Sequence, residues 1–506
     1  MNLLNFTGLI TIPLVSSPIV YLAGRFGTRE TTLHGRSYFV RFLAFLAVLA
    51  AWLPFIVSLQ TLFLNGTQEF NVSTIWLRAD GISLLMAGCV LLLGTLVILF
   101  SGSYMAGEVG EEKYYAMLLA MMGLMIGLVS ASDLFNLWVW FEAMAISSYL
   151  LVAFYREQSV SLEAGMKYLV QSATGSVLVL VGIAIVLAQA GTLDMTEIAA
   201  AISKSGVNHL AILGAGALFI IGFGVKVALV PMHTWLPDAH SRAPSGISAM
   251  LSGVVIEIGL IAMLRALSTL TGFVLSWGIL LMGFGAVNML YGNLLALRQT
   301  IVKRLLAYSS LSHIGYILMG LGIALYSGIE LGAQGAFFHV FNHMLMKGLA
   351  FLAVGALTYG MLLQNGTHRS LKIADLAGAG QRYPLAALAF SIAVLGLGGM
   401  PPLAGFMSKW QIFVAGFQSH NNWIIALMVF MALNSVLSLG YYAPLVNLMY
   451  RREPSERVVM GKPLTWTIAL PLIVMALLVI VLGFFPVLMD RLTIPAAEQF
   501  MQMFGI

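Results

Sequence analysis

Four charged side chains, Glu142, Lys226, Lys347 and Lys409, each lie inside an otherwise apolar stretch of helix length. Only 9% of the chain is charged, so these positions stand out. An ionised group at the centre of a bilayer costs about 2.5–3.5 kcal/mol even on lenient insertion scales, and four facing lipid would cost on the order of 10 kcal/mol. Such groups are tolerated when they face the protein interior and handle charge, which points to a buried ion or proton path. Glu142 follows Leu134-Phe-Asn-Leu-Trp-Val-Trp-Phe, so its burial calls for an opposite charge, and Lys226 is the candidate partner. The competing reading is a static pair that only orders the bundle.

His339, His343 and Lys347 recur at i, i+4 and i+8. On a helix that spacing drifts only about 40° around the axis, so all three line one face. Histidine both accepts and donates a proton near neutral pH, and a stripe ending in lysine suits proton relay. Zinc held by the two histidines is a rival reading, with no third ligand evident. His313, in the preceding span, could extend the stripe or be an ordinary core histidine. Lys409 could snorkel to an interface, but the apolar run continues past it through Trp410-Gln-Ile-Phe-Val, which favours an internal proton-exchange lysine. Glu257, in Gly253-Val-Val-Ile-Glu-Ile-Gly-Leu, is a further buried acid with no neighbour of opposite charge in its own helix. Lys167 lies nearer a span end and is either interfacial or part of the path. The segment from His233 through Asp238 and His240 to Pro244 reads as a polar cytoplasmic loop that ties neighbouring helices together or admits protons.

The elements that must position these groups are membrane helices. The chain has 506 residues, 60% of them hydrophobic, with a mean hydropathy of +0.95; soluble domains run nearer 45–50% apolar. Its apolar runs are continuous rather than alternating, which favours helices over a barrel. The expected fold is all-α and polytopic, with about 14 spans. They lie near 6–23, 38–64, 81–104, 115–131, 134–155, 166–190, 210–232, 244–270, 273–298, 305–325, 331–360, 384–418, 423–450 and 464–489. With no long polar stretch, residues 1–506 read as one membrane domain. The first run has no Lys or Arg ahead of it and reads as a retained span rather than a signal peptide.

Alternate loops carry Arg25, Arg29, Arg36, Lys113, Arg156, Arg242, Arg298, Lys303, Arg304, Arg369, Lys372, Arg382, Arg451, Arg452, Arg457 and Lys462, against Arg78, Lys204 and Arg491 on the other side. This bias puts both termini outside the cytoplasm and explains the net charge of +5 without a nucleic-acid partner. The lone Cys89 rules out an intrachain disulfide and argues against a cysteine metal site. Asn65-Gly-Thr67 and Asn71-Val-Ser73 fit the glycosylation pattern, a weak signal here. No P-loop, dinucleotide fingerprint or cysteine cluster is present, so no cofactor and neither redox nor hydrolytic chemistry is expected in this chain.

The seventh and twelfth spans look interrupted. One reads Gly222-Phe-Gly-Val-Lys226-Val-Ala-Leu-Val-Pro231, the other Gly396-Leu-Gly-Gly-Met-Pro401-Pro402-Leu-Ala-Gly-Phe-Met-Ser-Lys409. Proline removes a helical hydrogen bond and clashes with the preceding turn. Paired interrupted spans point to an inverted repeat with sites near the bilayer midplane; the alternative is two ordinary proline kinks.

These residues carry a family resemblance. Phe-Glu142-Ala-Met, Lys226-Val-Ala-Leu-Val-Pro-Met-His-Thr-Trp-Leu-Pro-Asp-Ala-His240, Lys303-Arg-Leu-Leu-Ala-Tyr-Ser-Ser-Leu-Ser-His313 and Gly-Met-Pro-Pro-Leu-Ala-Gly-Phe-Met-Ser-Lys409-Trp occur in the order found in the antiporter-like subunits. That family includes membrane-arm subunits of respiratory complex I, large subunits of Mrp sodium/proton antiporters and relatives in membrane-bound hydrogenases; the likeness runs from about residue 80 to 450.

The resemblance implies two inverted five-helix repeats, near 115–270 and 273–450, with broken seventh and twelfth helices. It makes Glu142 and Lys226 the acid–lysine pair of the first half, Lys409 the lysine of the second, and His339, His343 and Lys347 the bridge. The histidine–histidine–lysine set favours the large Mrp subunits, the D-type in particular, and the distal complex I subunit. Glu257 departs from the family pattern, which has a bridging lysine or histidine there. The chain also ends shortly after its last span, without the long lateral helix of the distal complex I subunit.

The expected function is translocation of protons, or of sodium against protons, within a complex of other membrane subunits in a prokaryotic inner membrane. The expected path is Glu142, Lys226, Lys167, Glu257, His343, Lys347 and Lys409. The alternatives are a non-pumping scaffold subunit or a stand-alone secondary transporter; a CO2- or bicarbonate-linked complex is one more assembly that the ion-translocating reading allows.

Overall fold

With no water in a bilayer core to satisfy backbone polar groups, long apolar runs satisfy them internally as helices. The computed structural model describes residues 5–26, 33–72, 74–202, 207–270, 272–361 and 369–506. Arg29 and Lys204 of the loop count and Ser73 of the second glycosylation pattern lie outside the described residues, as does the side chain of Arg36. Among the described residues, 13 helices are long and apolar enough to cross a membrane. Each falls on an expected span. The expected twelfth span is two shorter helices, Pro384–Gly398 and Ala404–Gln418.

Burial sorts these spans into an inner set and an outer ring. The most apolar windows of Ser245–Ser268 and Glu330–Gly360 are wholly buried, and that of Val302–Ser327 is 94% buried. The corresponding windows of Ser159–Ala190 and Asn422–Arg451 are only 33% and 28% buried, as expected of helices that turn an apolar face to lipid. The inner three carry Glu257, His313, His339, His343 and Lys347. Small residues bring Val274–Ala296 against Val302–Ser327: a Cβ on Gly285 would sit 2.8 Å from the Gly315 carbonyl oxygen, and one on Gly292 2.7 Å from that of Tyr308.

Both breaks are present. The seventh span stops at Val227, where Ala228 takes a left-handed φ of 58°. It resumes as the helix Trp235–Arg242, which corrects the expected polar loop over His233 to Pro244. Trp235, Leu236 and Ala239 are buried and anchor this short helix, and Pro237 falls in its first turn, where a missing N–H breaks no bond. Pro231 lies in the gap. The twelfth span stops at Gly398, with Gly399 at φ 79°, a conformation glycine adopts without strain. Pro401 and Pro402 follow before the helix resumes at Ala404. A third irregularity, a π-helical turn over Leu251–Val255, lies just before Glu257; such turns re-aim the residues that follow.

Outside the spans, Gln68–Val72 and Ile75–Ala79 form an antiparallel hairpin, and Asp490–Met503 forms a helix after the last span. Two arginines within spans are paired. Arg265 donates to both carboxylate oxygens of Asp80, at 2.9 and 2.8 Å, and Arg41 makes a bidentate pair with Glu111.

Candidate functional site

A broken helix exposes carbonyls with no partner in their own helix, and the two lysines beside the breaks use that surplus differently. Lys409, 2% exposed, reaches back from the second half of the twelfth span. Its Nζ donates to the Leu397 carbonyl at 2.9 Å, in the last turn of the first half, and to Ser435 Oγ at 2.9 Å. The ammonium also lies 4.3 Å from the ring centroid of Tyr316. Lys226 sits in the last turn of its own half-helix, where a cation suits the helix dipole. Its Nζ donates to Tyr168 Oη at 2.6 Å and Ser148 Oγ at 3.1 Å. The carbonyl of Val225 is taken by Trp235 Nε1 at 2.7 Å, and Asn288 caps the gap by accepting from Val230 N at 2.9 Å.

Glu142 does not form the expected ion pair. Among the described residues no salt bridge joins it to Lys226, whose ammonium is held by neutral hydroxyls instead, and Glu142 Oε2 is buried without a hydrogen-bond partner.

Between the two lysines the inner spans assemble a row of titratable groups. Glu257 Oε1 lies 2.6 Å from His343 Nδ1, both side chains fully buried. The ring of His343 stacks with that of His313 at 5.2 Å between centroids, and His313 stacks with His339 at the same distance. His313 Nδ1 is 3.0 Å from His339 Nε2, and His339 Nδ1 is 2.9 Å from Ser408 Oγ, the residue before Lys409. His313 is therefore a member of the row rather than an isolated core histidine. The acid that departs from the family pattern has a histidine as its partner. Lys347, one turn beyond His343, donates to the Leu306 carbonyl at 2.8 Å and to Ser309 Oγ. Glu257 Oε2 and His343 Nε2 are buried and unpartnered, which leaves the row free positions for a proton. At the other end, Gly259, two residues past Glu257, packs on Lys226: a Cβ there would lie 3.0 Å from Lys226 Cγ.

Lys167 stands outside this row. Its side chain is 48% exposed and pairs with Glu163 at 2.7 Å and with Asp238 at 3.1 Å. Arg304 also donates to Asp238, so the short helix Trp235–Arg242 is clamped between two neighbouring spans. Burial alone would raise the Asp238 carboxyl, but the hydrogen bonds from Lys167 and Arg304 outweigh it and hold it below the usual range. His240 is fully buried on the same helix, its ring stacked 4.7 Å from that of Phe351 and both ring nitrogens unpartnered. His233 lies in the gap, edge-on to Tyr291. Lys303, assigned to a solvated loop by the loop count, is 6% exposed and donates to the Ala243 carbonyl at 2.8 Å, at the end of the short helix. It lines a polar cavity of about 30 Å³ with Arg242, Arg369, Tyr104 and Tyr155, large enough for water.

Tyr168, Ser148, Trp235, Asn288, Ser408 and Ser435 were missed from the sequence. Asn288 could have been flagged as an amide inside an apolar run; single hydroxyls in membrane helices are too common to mark a site.

A family model described as NADH:quinone oxidoreductase/Mrp antiporter, TM, matches residues 131–435. A second, described as the N-terminus of chain 5 of NADH-ubiquinone oxidoreductase (complex I), matches residues 64–115. NADH-quinone oxidoreductase subunit N of Desulforamulus reducens is 34% identical over 408 residues, 80% of this chain and 82% of that protein. In the structure of the membrane-bound sulfane sulfur reductase, an archaeal respiratory membrane complex, one chain superposes with a TM-score of 0.84 at 28% identity, covering 97% of this chain and 96% of that one. A chain of the Mrp complex from Dietzia sp. DQ12-45-1b shares the fold at a TM-score of 0.84 and 21% identity, with both chains fully covered.

Proposed function

This chain belongs to the NADH:quinone oxidoreductase/Mrp antiporter family of membrane subunits, and from that premise we propose that it translocates protons along its row of buried titratable groups. It is a multi-pass membrane protein, and its partners are other membrane subunits of one complex, as for the relatives above. The observation that carries the reading is the buried chain of contacts Glu257–His343 and His313–His339–Ser408, which leads from the inner spans to Lys409 on the broken twelfth span. Imidazole and carboxyl groups in hydrogen-bond contact pass protons, whereas a hard cation such as sodium takes oxygen ligands. Protons are therefore the favoured ion.

In this reading Glu142 and Lys226 serve one half, Lys409 the other, and Glu257, the three histidines and Lys347 join them. Residues 115–270 and 273–450 would be the two repeats, each with one lysine at one broken helix. Both termini lie on the non-cytoplasmic side, which the loop lysines and arginines support.

The test is Lys226→Ala and Lys409→Ala in the assembled complex, reconstituted in liposomes with a pH-sensitive dye. Either change should abolish proton movement while assembly persists. Parent-like pumping by both variants would refute the reading and favour a scaffold.

A further inference from the structure

The hydroxyls around Lys226 can be assigned one by one. Ser148 Oγ lies 2.7 Å from the Ala145 carbonyl in its own helix, and that bond uses its single proton. Tyr168, 2.9 Å away, must then donate its O–H to Ser148, which leaves the Tyr168 oxygen free to accept from the Lys226 ammonium at 2.6 Å. Ser148 accepts a second ammonium proton at 3.1 Å. The cation is thus held by two neutral acceptors, while the Glu142 carboxyl makes no bond to it.

Tyr168 is itself held. Its ring lies flat on Trp235, at 3.9 Å between centroids and 5° between planes. Trp235 in turn donates to the Val225 carbonyl, one residue before Lys226. Trp235 opens the short helix Trp235–Arg242, whose Asp238 is tied to Lys167 and Arg304. The two halves of the broken helix therefore meet at the Trp235–Val225 hydrogen bond, and Trp235 stacks on the sixth-span tyrosine that touches the ammonium.

We propose that Tyr168 is a latch on Lys226, set by the position of Trp235, that holds the ammonium away from Glu142 and serves both protonation states of the lysine. This rests on the reading of Lys226 as a proton carrier. With Lys226 charged, the tyrosine oxygen accepts from it. When the short helix shifts, Trp235 moves off the ring and the ammonium is freed toward Glu142. One N–H proton then passes from Lys226 to the unpartnered carboxylate oxygen of Glu142, leaving a neutral amine and a neutral carboxylic acid. The Tyr168 O–H turns from Ser148 to donate to the amine lone pair; no proton leaves the tyrosine. Phenylalanine can do neither job.

The titratable groups facing Lys226 are Tyr168 from Ser159–Ala190 and Glu142 from Leu134–Val152; Ser245–Ser268 presents the uncharged Gly259. Removing the phenol should therefore change the pH dependence of transport as well as its rate.

The experiment compares Tyr168→Phe, Trp235→Phe and Lys226→Ala with the parent, each in the assembled, reconstituted complex, over a pH series. The expected result is a rate about ten-fold lower for Tyr168→Phe, with a displaced pH profile, a smaller change in the same direction for Trp235→Phe, and no transport for Lys226→Ala. A parent-like rate and profile for Tyr168→Phe beside a silent Lys226→Ala would overturn the latch alone. Transport by Lys226→Ala would overturn the carrier reading and the latch with it. Should Tyr168→Phe fail to assemble, Ser148→Ala removes the other acceptor: a displaced profile supports the latch, and an unchanged one overturns it.

Discussion

Glu257 places a carboxyl group where burial is complete, and a fully buried charge persists only with a partner. His343 supplies it at 2.6 Å, and whichever of the two holds the shared proton, the other can take it. The second oxygen of Glu257 and the far nitrogen of His343 have no partner, so the pair can receive a proton on one side and release it on the other. Glu257→Gln keeps the shape and a hydrogen bond to the imidazole but cannot exchange a proton. We expect the complex to assemble and its proton transport to fall by about a hundred-fold, measured by dye quenching in proteoliposomes. Parent-like transport would remove Glu257 from the path. His313 and His339 extend the same logic to Ser408, since a neutral imidazole is a donor at one nitrogen and an acceptor at the other.

At the level of elements, the useful feature is that each of two helices is cut in the membrane and each cut is satisfied by side chains, chiefly from the other half of the same span. Lys409 fills one exposed carbonyl, Trp235 another, and Asn288 caps the gap after Ala228. The short helix Trp235–Arg242 is held by Asp238, in its middle, between Lys167 and Arg304. Because those cations hold the Asp238 carboxyl below its ordinary value, the clamp contributes stability above about pH 4, the usual aspartate pKa, and loses it as pH falls through the depressed native value. Asp238→Asn should therefore lower the melting temperature at neutral pH, and the gap to the parent should close in acid. A gap that stays constant down the pH series would show that the clamp is not electrostatic.

For the whole molecule, the inner spans are a polar seam wrapped in apolar helices, and their ends must be fixed for the seam to keep its register. Asp80 does this at one end. It caps the helix Gly81–Tyr104 by accepting from Ser83 N at 2.8 Å and receives both bonds from Arg265 at the end of the span that carries Glu257. Asp80→Ala would strand Arg265, which is 2% exposed, as a buried unpaired charge. The expected loss is about 3–5 kcal/mol, read as a clear fall in thermal stability of the detergent-solubilised complex. A parent-like melting temperature would mean that the pair does not hold the two spans together.

Hydrophobic run length and the low density of charge determined the membrane fold, and the span positions follow from them because lipid leaves the backbone no other choice. The breaks were legible from Pro231, Pro401 and Pro402 and the glycines around them, and the histidine–lysine stripe from its i, i+4, i+8 spacing. What a one-dimensional pattern does not carry is which neighbour each buried charge meets across helices. Only the tertiary structure decided that Lys226 rests on Tyr168 and Ser148 instead of Glu142, that Lys167 and Asp238 form an outer clamp, that Lys303 turns inward to a helix end, and that Glu257 has a histidine for a partner. Those pairings are set by packing between spans far apart in sequence, where a one-turn difference in facing exchanges one partner for another.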